Sequence, residues 1–134
     1  MTFVYILLAI LVVASVYVRF APTPVARFHQ ISDFDTDATE ISGVKRVMPG
    51  DVVTLAKLDK IILATPRTQV VAGSAEAGFV TYVTRSRLIG FPDYATVQLD
   101  DGVLKLHSRL RFGRSDLGVN GKRVKAWIDA LGAM

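Results

Sequence analysis

The sequence predicts an α+β protein: one N-terminal transmembrane helix, then a small domain in which a four-stranded antiparallel sheet is covered by two helices. Three observations carry that prediction. Of the first 21 residues 18 are hydrophobic, against 50 of the other 113, and the second proportion is ordinary for a domain in water. Between residues 69 and 112, runs rich in β-branched and aromatic residues alternate with short turn signals. The chain closes on an amphipathic stretch with helix punctuation at both ends. At 134 residues, with 16 basic and 12 acidic side chains, there is room for one anchor and one small domain. That excludes a polytopic membrane protein, a disordered chain and a multi-domain enzyme.

Residues 1–21 read as the anchor. From Phe3 to Val18 only Ser15 interrupts the apolar run, and Arg19 ends it. With Phe20 and Ala21 the stretch approaches the roughly 20 residues that cross a bilayer as a helix. Tyr5, Tyr17 and Phe20 lie near its ends, where aromatic side chains sit among headgroups. Pro22 and Pro24 then stop the helix. A cleaved signal peptide fits less well, because no Lys or Arg precedes the run and no small-x-small cleavage site follows Ser15. A buried core helix, apolar on all sides, would need a larger domain around it. The expected partner is therefore the lipid bilayer, through Phe3 to Ala21. The expected location is the inner (cytoplasmic) membrane, single-pass, with the soluble domain periplasmic. Arg19 and Arg27 pull weakly the other way, and the absence of cysteine fits either side.

Residues 22–43 read as an acidic linker, with two prolines followed by Asp33, Asp35, Asp37 and Glu40. The D-x-D-x-D spacing resembles a calcium loop but has Ala38 where glycine is needed and Val44 where a bidentate Glu is needed. Residues 44–134 form the expected α+β domain. Asp51 caps a helix whose Val52, Leu55, Leu58, Ile61 and Ile62 share a face up to Pro66. Strands follow at Gln69 to Ala72, Phe79 to Ile89, Tyr94 to Leu99 and Val103 to Phe112. Asp101-Gly102 forms the tight hairpin between the last two. In the last strand Leu104, Leu106, Leu110 and Phe112 share one face, and Lys105, His107, Arg109 and Arg111 the other. Asn120 is the expected N-cap of the final helix. Val124, Trp127, Ile128 and Leu131 follow helical spacing, and Gly132 ends it.

From Phe91 to Leu131 the chain resembles domain-of-unknown-function family 1499. The resemblance rests on Phe91-Pro92-Asp93, on the run from Ser108 to Asn120 with its Ser-Arg, Gly113, Ser115-Asp116 and Gly118, and on Lys122-Arg123-Val124. The sequence departs from the family pattern at Leu110, where a second Ser is usual, and at Gly121, where a basic residue is usual. The resemblance implies a small bacterial or chloroplast-related protein, often placed behind a signal or membrane segment. It implies no activity.

Three roles compete for that motif. As an enzyme site it would need a base for Ser108 or Ser115. Yet His107 and Ser108 are strand neighbours facing opposite ways, and Ser115 lacks a nucleophile elbow. No phosphate loop, dinucleotide fingerprint or zinc ligand set is present, so no metal and no cofactor is expected. As a structural turn, Gly113, Ser115, Asp116, Gly118 and Asn120 would hold the strand-to-helix connection. As a binding surface, Arg109, Arg111, Arg114, Lys122 and Arg123 would take an anion, an anionic lipid or a partner. The leading expectation is a non-enzymatic accessory or interaction module, a subunit of a larger membrane complex. Binding of an anionic ligand or lipid headgroup comes second, and a hydrolase-like enzyme third. Nucleic acid is not an expected partner, since the domain lacks a stacking array of exposed aromatics.

Overall fold

The computed structural model describes all 134 residues. The chain runs α1 (Thr2–Phe20), α2 (Val25–Phe28), β1 (Ala38–Glu40), β2 (Gly43–Pro49), α3 (Val52–Leu63), β3 (Thr68–Ser74), β4 (Phe79–Arg85), β5 (Pro92–Asp100), β6 (Val103–Leu110) and α4 (Val119–Gly132). The fold is α+β with an antiparallel sheet, as expected, but the sheet has six strands in the order β1-β2-β6-β5-β4-β3. The sequence points to only four. β1 and β2 escape notice because Ala38–Glu40 is short and exposed, and Gly43–Pro49 carries adjacent Lys45 and Arg46 and ends in proline. Neither shows the clean alternation by which a half-buried strand is read. Gly43 is the residue that lets β2 pair, since a Cβ there would lie 2.1 Å from the Ser108 carbonyl oxygen.

The other elements form where their residues favour them. At the start of α3 the Asp51 carboxylate accepts from the Thr54 amide at 2.9 Å, and the Thr54 hydroxyl accepts from the Asp51 amide at 3.2 Å. The Thr54 amide, and the Thr54 hydroxyl that also donates to the carboxylate at 2.9 Å, hold the Asp51 carboxyl below the usual carboxylate range. Asp101 and Gly102 both take positive φ, 47° and 77°, and close a two-residue hairpin between β5 and β6. β4 stops at Arg85 rather than Ile89, and β6 at Leu110 rather than Phe112.

Both sheet faces are covered. On one, α3 and α4 lay Leu55, Leu58, Ile62, Val124 and Trp127 over Val80, Tyr82, Val97, Leu104 and Leu106. Val52, assigned to that face from its spacing, is instead exposed at the first turn of α3. The Tyr82 hydroxyl donates to Asp59 at 2.6 Å, and burial together with Asp59 pushes its pKa up. On the other face the segment expected to be a solvated linker is packed down. Phe28 is buried with Val83 and Tyr94, stacked on Tyr94 at 4.1 Å between ring centroids. His29 stacks on Phe79 and hydrogen-bonds Thr81. The acidic residues beyond it contact the sheet too, Asp33 pairing with Lys105 and Asp37 accepting from the Val47 amide. The linker reading fails because Phe28 is buried and the Phe34 ring lies under Lys45 and Lys105, two apolar anchors diluted in the sequence among polar neighbours.

α1 is the exception to this packing. None of its residues is buried, and it joins the domain only at its last turn.

Candidate functional site

The motif residues meet where β5, β6 and α4 converge. Ser108, on the helix-covered face of β6, donates to Asn120 Oδ1 at 2.5 Å. Arg123 donates to the same oxygen at 3.0 Å and to Asp93 Oδ2 at 3.2 Å. Asn120 Nδ2 donates to Asp116 Oδ2 at 3.0 Å. The Asp116 carboxylate also accepts the backbone N–H groups of Gly118 and Asn120. Burial would raise the Asp116 pKa, but these bonds prevail and hold it below the usual range. Burial raises that of Asp93, opposed by Arg123. No buried side-chain nitrogen or oxygen in the protein lacks a partner.

Asn120 therefore is not the N-cap. Gly118, at φ 79°, occupies that position, and Asn120 lies in the first turn with its side chain buried. Asp116 satisfies the free amides in its place, from four residues upstream. Asp116 forms no ion pair with Arg111 or Arg123; Asp93 takes Arg123. Gly113, at φ 98°, and the Ser115 hydroxyl, which accepts from the Leu117 amide at 3.2 Å, complete the turn.

The five basic candidates are not brought together. Arg109 is only 9% exposed on the opposite sheet face. There it donates to the Phe28 carbonyl at 2.7 Å, the His107 carbonyl and the Thr96 hydroxyl, with its guanidinium over the Phe28 ring. Burial, and then Arg27 nearby, pulls its pKa down to about 10. Arg111 donates to the Pro22 carbonyl at 3.0 Å. Arg123 is held by Asp93, and Arg114 and Lys122 are exposed. His107 shares the face of Arg109. Burial, then Arg109 and Lys45, lower its pKa to about 4 despite Glu40 at 3.7 Å, so it is neutral at pH 7.

A different cluster was missed. Arg19 at the end of α1, Arg67 before β3 and Arg85 at the end of β4 line a cleft of about 300 Å³ with Gln69, Ser86 and Gly90, and no hydrophobic side chain. Arg85 donates to the Val18 carbonyl at 3.1 Å and the Gly90 carbonyl at 3.0 Å, and Arg19 to the Leu88 carbonyl at 3.2 Å. Pairing of Thr68 with Thr84 is what sets Arg67 beside Arg85. That signal lay in the sequence, in the hairpin that joins the two strands.

The family model described as "Protein of unknown function (DUF1499)" matches residues 22–131. No curated protein shows a match to the chain. The matched span starts at the packed segment before β1, well upstream of the motif that carries the resemblance. The chain belongs to this family.

Proposed function

We propose that this DUF1499 protein is a single-pass, membrane-anchored, non-enzymatic interaction module, an accessory subunit of a larger complex in a bacterial inner membrane, with its domain on the periplasmic side. One observation carries the reading. The domain closes its core of twelve buried residues without α1, while no residue of the 19-residue α1 is buried. A helix of that length and mean hydropathy, 2.4 over its best window, finds its counterpart in lipid. The two arginines near its end, Arg19 and Arg27, are too few to hold the domain inside by charge alone.

The non-enzymatic part rests on how the polar motif is used. Ser108, Asn120, Asp116, Arg123 and Asp93 are hydrogen-bonded to one another in one network. Neither histidine stands beside a nucleophile set to react: His107 projects from the other sheet face, and the partner of His29 is Thr81, itself bonded to Thr96 in a buried pair. A reporter that works only outside the cytoplasm, fused after Met134, is expected to be active. Activity of a cytoplasm-only reporter would overturn the placement. Gentle solubilisation is expected to release the chain with a companion in fixed ratio, and recovery of the chain alone under every mild condition would remove the subunit reading.

A further inference from the structure

The two ends of the sheet differ in character. At the end where α1 departs lie the loop between β4 and β5, the connection from β6 to α4, and the turn between β1 and β2. Leu88 in the first loop is 85% exposed and Leu117 in the second 87%, with Ile41, Ile89 and Phe91 also uncovered around them. Arg67, Arg85, Arg87 and Arg114 share this end with Arg19. The opposite end carries Asp51, Glu76, Asp100 and Asp101 on its turns. The nine residues of β5 separate the two by about 30 Å, several Debye lengths at physiological salt. The basic end therefore acts independently of the acidic one. Leu117 is also held at φ 54°, where a bulky side chain is unfavourable and Gly or Asn would be at ease. A strained, exposed leucine is a poor choice for a turn in water.

We infer that this end of the domain lies on the anionic phospholipid headgroups of the bilayer that α1 crosses, with Leu88, Ile89 and Leu117 in the interface and Arg19, Arg67 and Arg85 on lipid phosphates. The inference rests on the anchor reading and deepens it by naming what the domain touches. The occupant follows from continuity. Arg19 and Arg85 tie the last turn of α1 to the loop that bears Leu88, so a helix in lipid brings that loop to the headgroups. Arg85 also satisfies the Val18 carbonyl at the negative end of α1. Each guanidinium has five N–H donors, and the bonds to Val18, Gly90, Leu88 and, from Arg67, the Arg85 carbonyl leave several free for phosphate. The cleft they line contains no carboxylate to compete.

The chain has no cysteine, so single labels test this in the full-length protein. Leu88→Cys, Leu117→Cys and, as the far-end reference, Asp101→Cys carry an environment-sensitive dye. Each is reconstituted into phosphatidylcholine vesicles with or without phosphatidylglycerol and with lipids bearing a quencher at headgroup depth. Labels at 88 and 117 are expected to shift to an apolar signal and be quenched, more so with phosphatidylglycerol, while the label at 101 stays in water. Arg67→Gln and Arg87→Gln, read on the 88 label, are each expected to lower the docked-to-undocked ratio about fivefold in anionic vesicles, and Arg67→Lys to restore most of it. If the chain stays in the vesicles through an alkaline wash but the labels at 88 and 117 behave like that at 101, the docking is wrong and the anchor stands. Quenching that ignores phosphatidylglycerol and both Arg→Gln changes overturns the phosphate contact. A chain washed off overturns the anchor, and the docking with it.

Discussion

Asn120 shows how much of the motif is spent on folding. Its carboxamide joins Ser108 of β6, Arg123 of α4 and Asp116 of the turn. Asn120→Ala strips Ser108 of its side-chain partner in a buried site and takes one bond each from Arg123 and Asp116, a loss of about 1–3 kcal/mol, measurable as a lowered urea midpoint of unfolding. Leu117→Asn moves the other way: relief at φ 54° is expected to hold or raise the melting temperature of the domain. His107 sets a pH dependence. Its folded pKa of about 4 lies below the ordinary 6.5, so the unfolded chain takes up that proton first as pH falls. The stability associated with neutral His107 is complete above about pH 6.5 and is lost between there and about pH 4. Comparison of His107→Gln with the parent across that window is expected to show a flatter acid limb, and superimposable profiles would remove His107 as the cause. Ser115 and Asp116 as turn residues, and the positive φ of Gly113 and Gly118, were legible from their types and spacing. The buried fate of Arg109 was not, because its partner, the Phe28 carbonyl, lies 81 residues away.

At the scale of elements, legibility followed periodicity. The Asp51-capped α3, the Asp101-Gly102 hairpin and the apolar face of α4 were all readable, since local chemistry decides them. β1 and β2 were not, because they join the sheet through register with β6 rather than by their own alternation. The same holds for residues 22–43, whose composition is that of a tether although Phe28 is buried. α1 is the element with the clearest expected outcome on substitution. Leu11→Arg places a charge near the middle of Thr2–Phe20 and costs about 3 kcal/mol of insertion. It is expected to reduce the membrane-bound fraction without changing the unfolding of the domain, since no core residue comes from α1. A matching loss of domain stability would mean that α1 packs on the fold.

For the whole molecule, 18 hydrophobic residues among the first 21 are a statement about solvent, and the structure makes it geometric. An uncovered helix leaves a finished domain at the end richest in arginine and exposed leucine, while the acidic turns point away. The basic surface expected from the last two strands and α4 is dispersed, with Arg109 buried and Arg123 paired. The cluster that does form, of Arg19, Arg67 and Arg85, depends on a join between α1 and the domain that composition alone does not reveal. Lipid contact by the domain requires α1 to remain in the mature chain and in the bilayer. The most direct measurement is an alkaline carbonate wash of membranes from cells that make the full chain, followed by peptide mapping of both fractions. A chain still carrying residues 2–20 and retained in the pellet is the expected result; one released to the supernatant, or recovered without those residues, would contradict it.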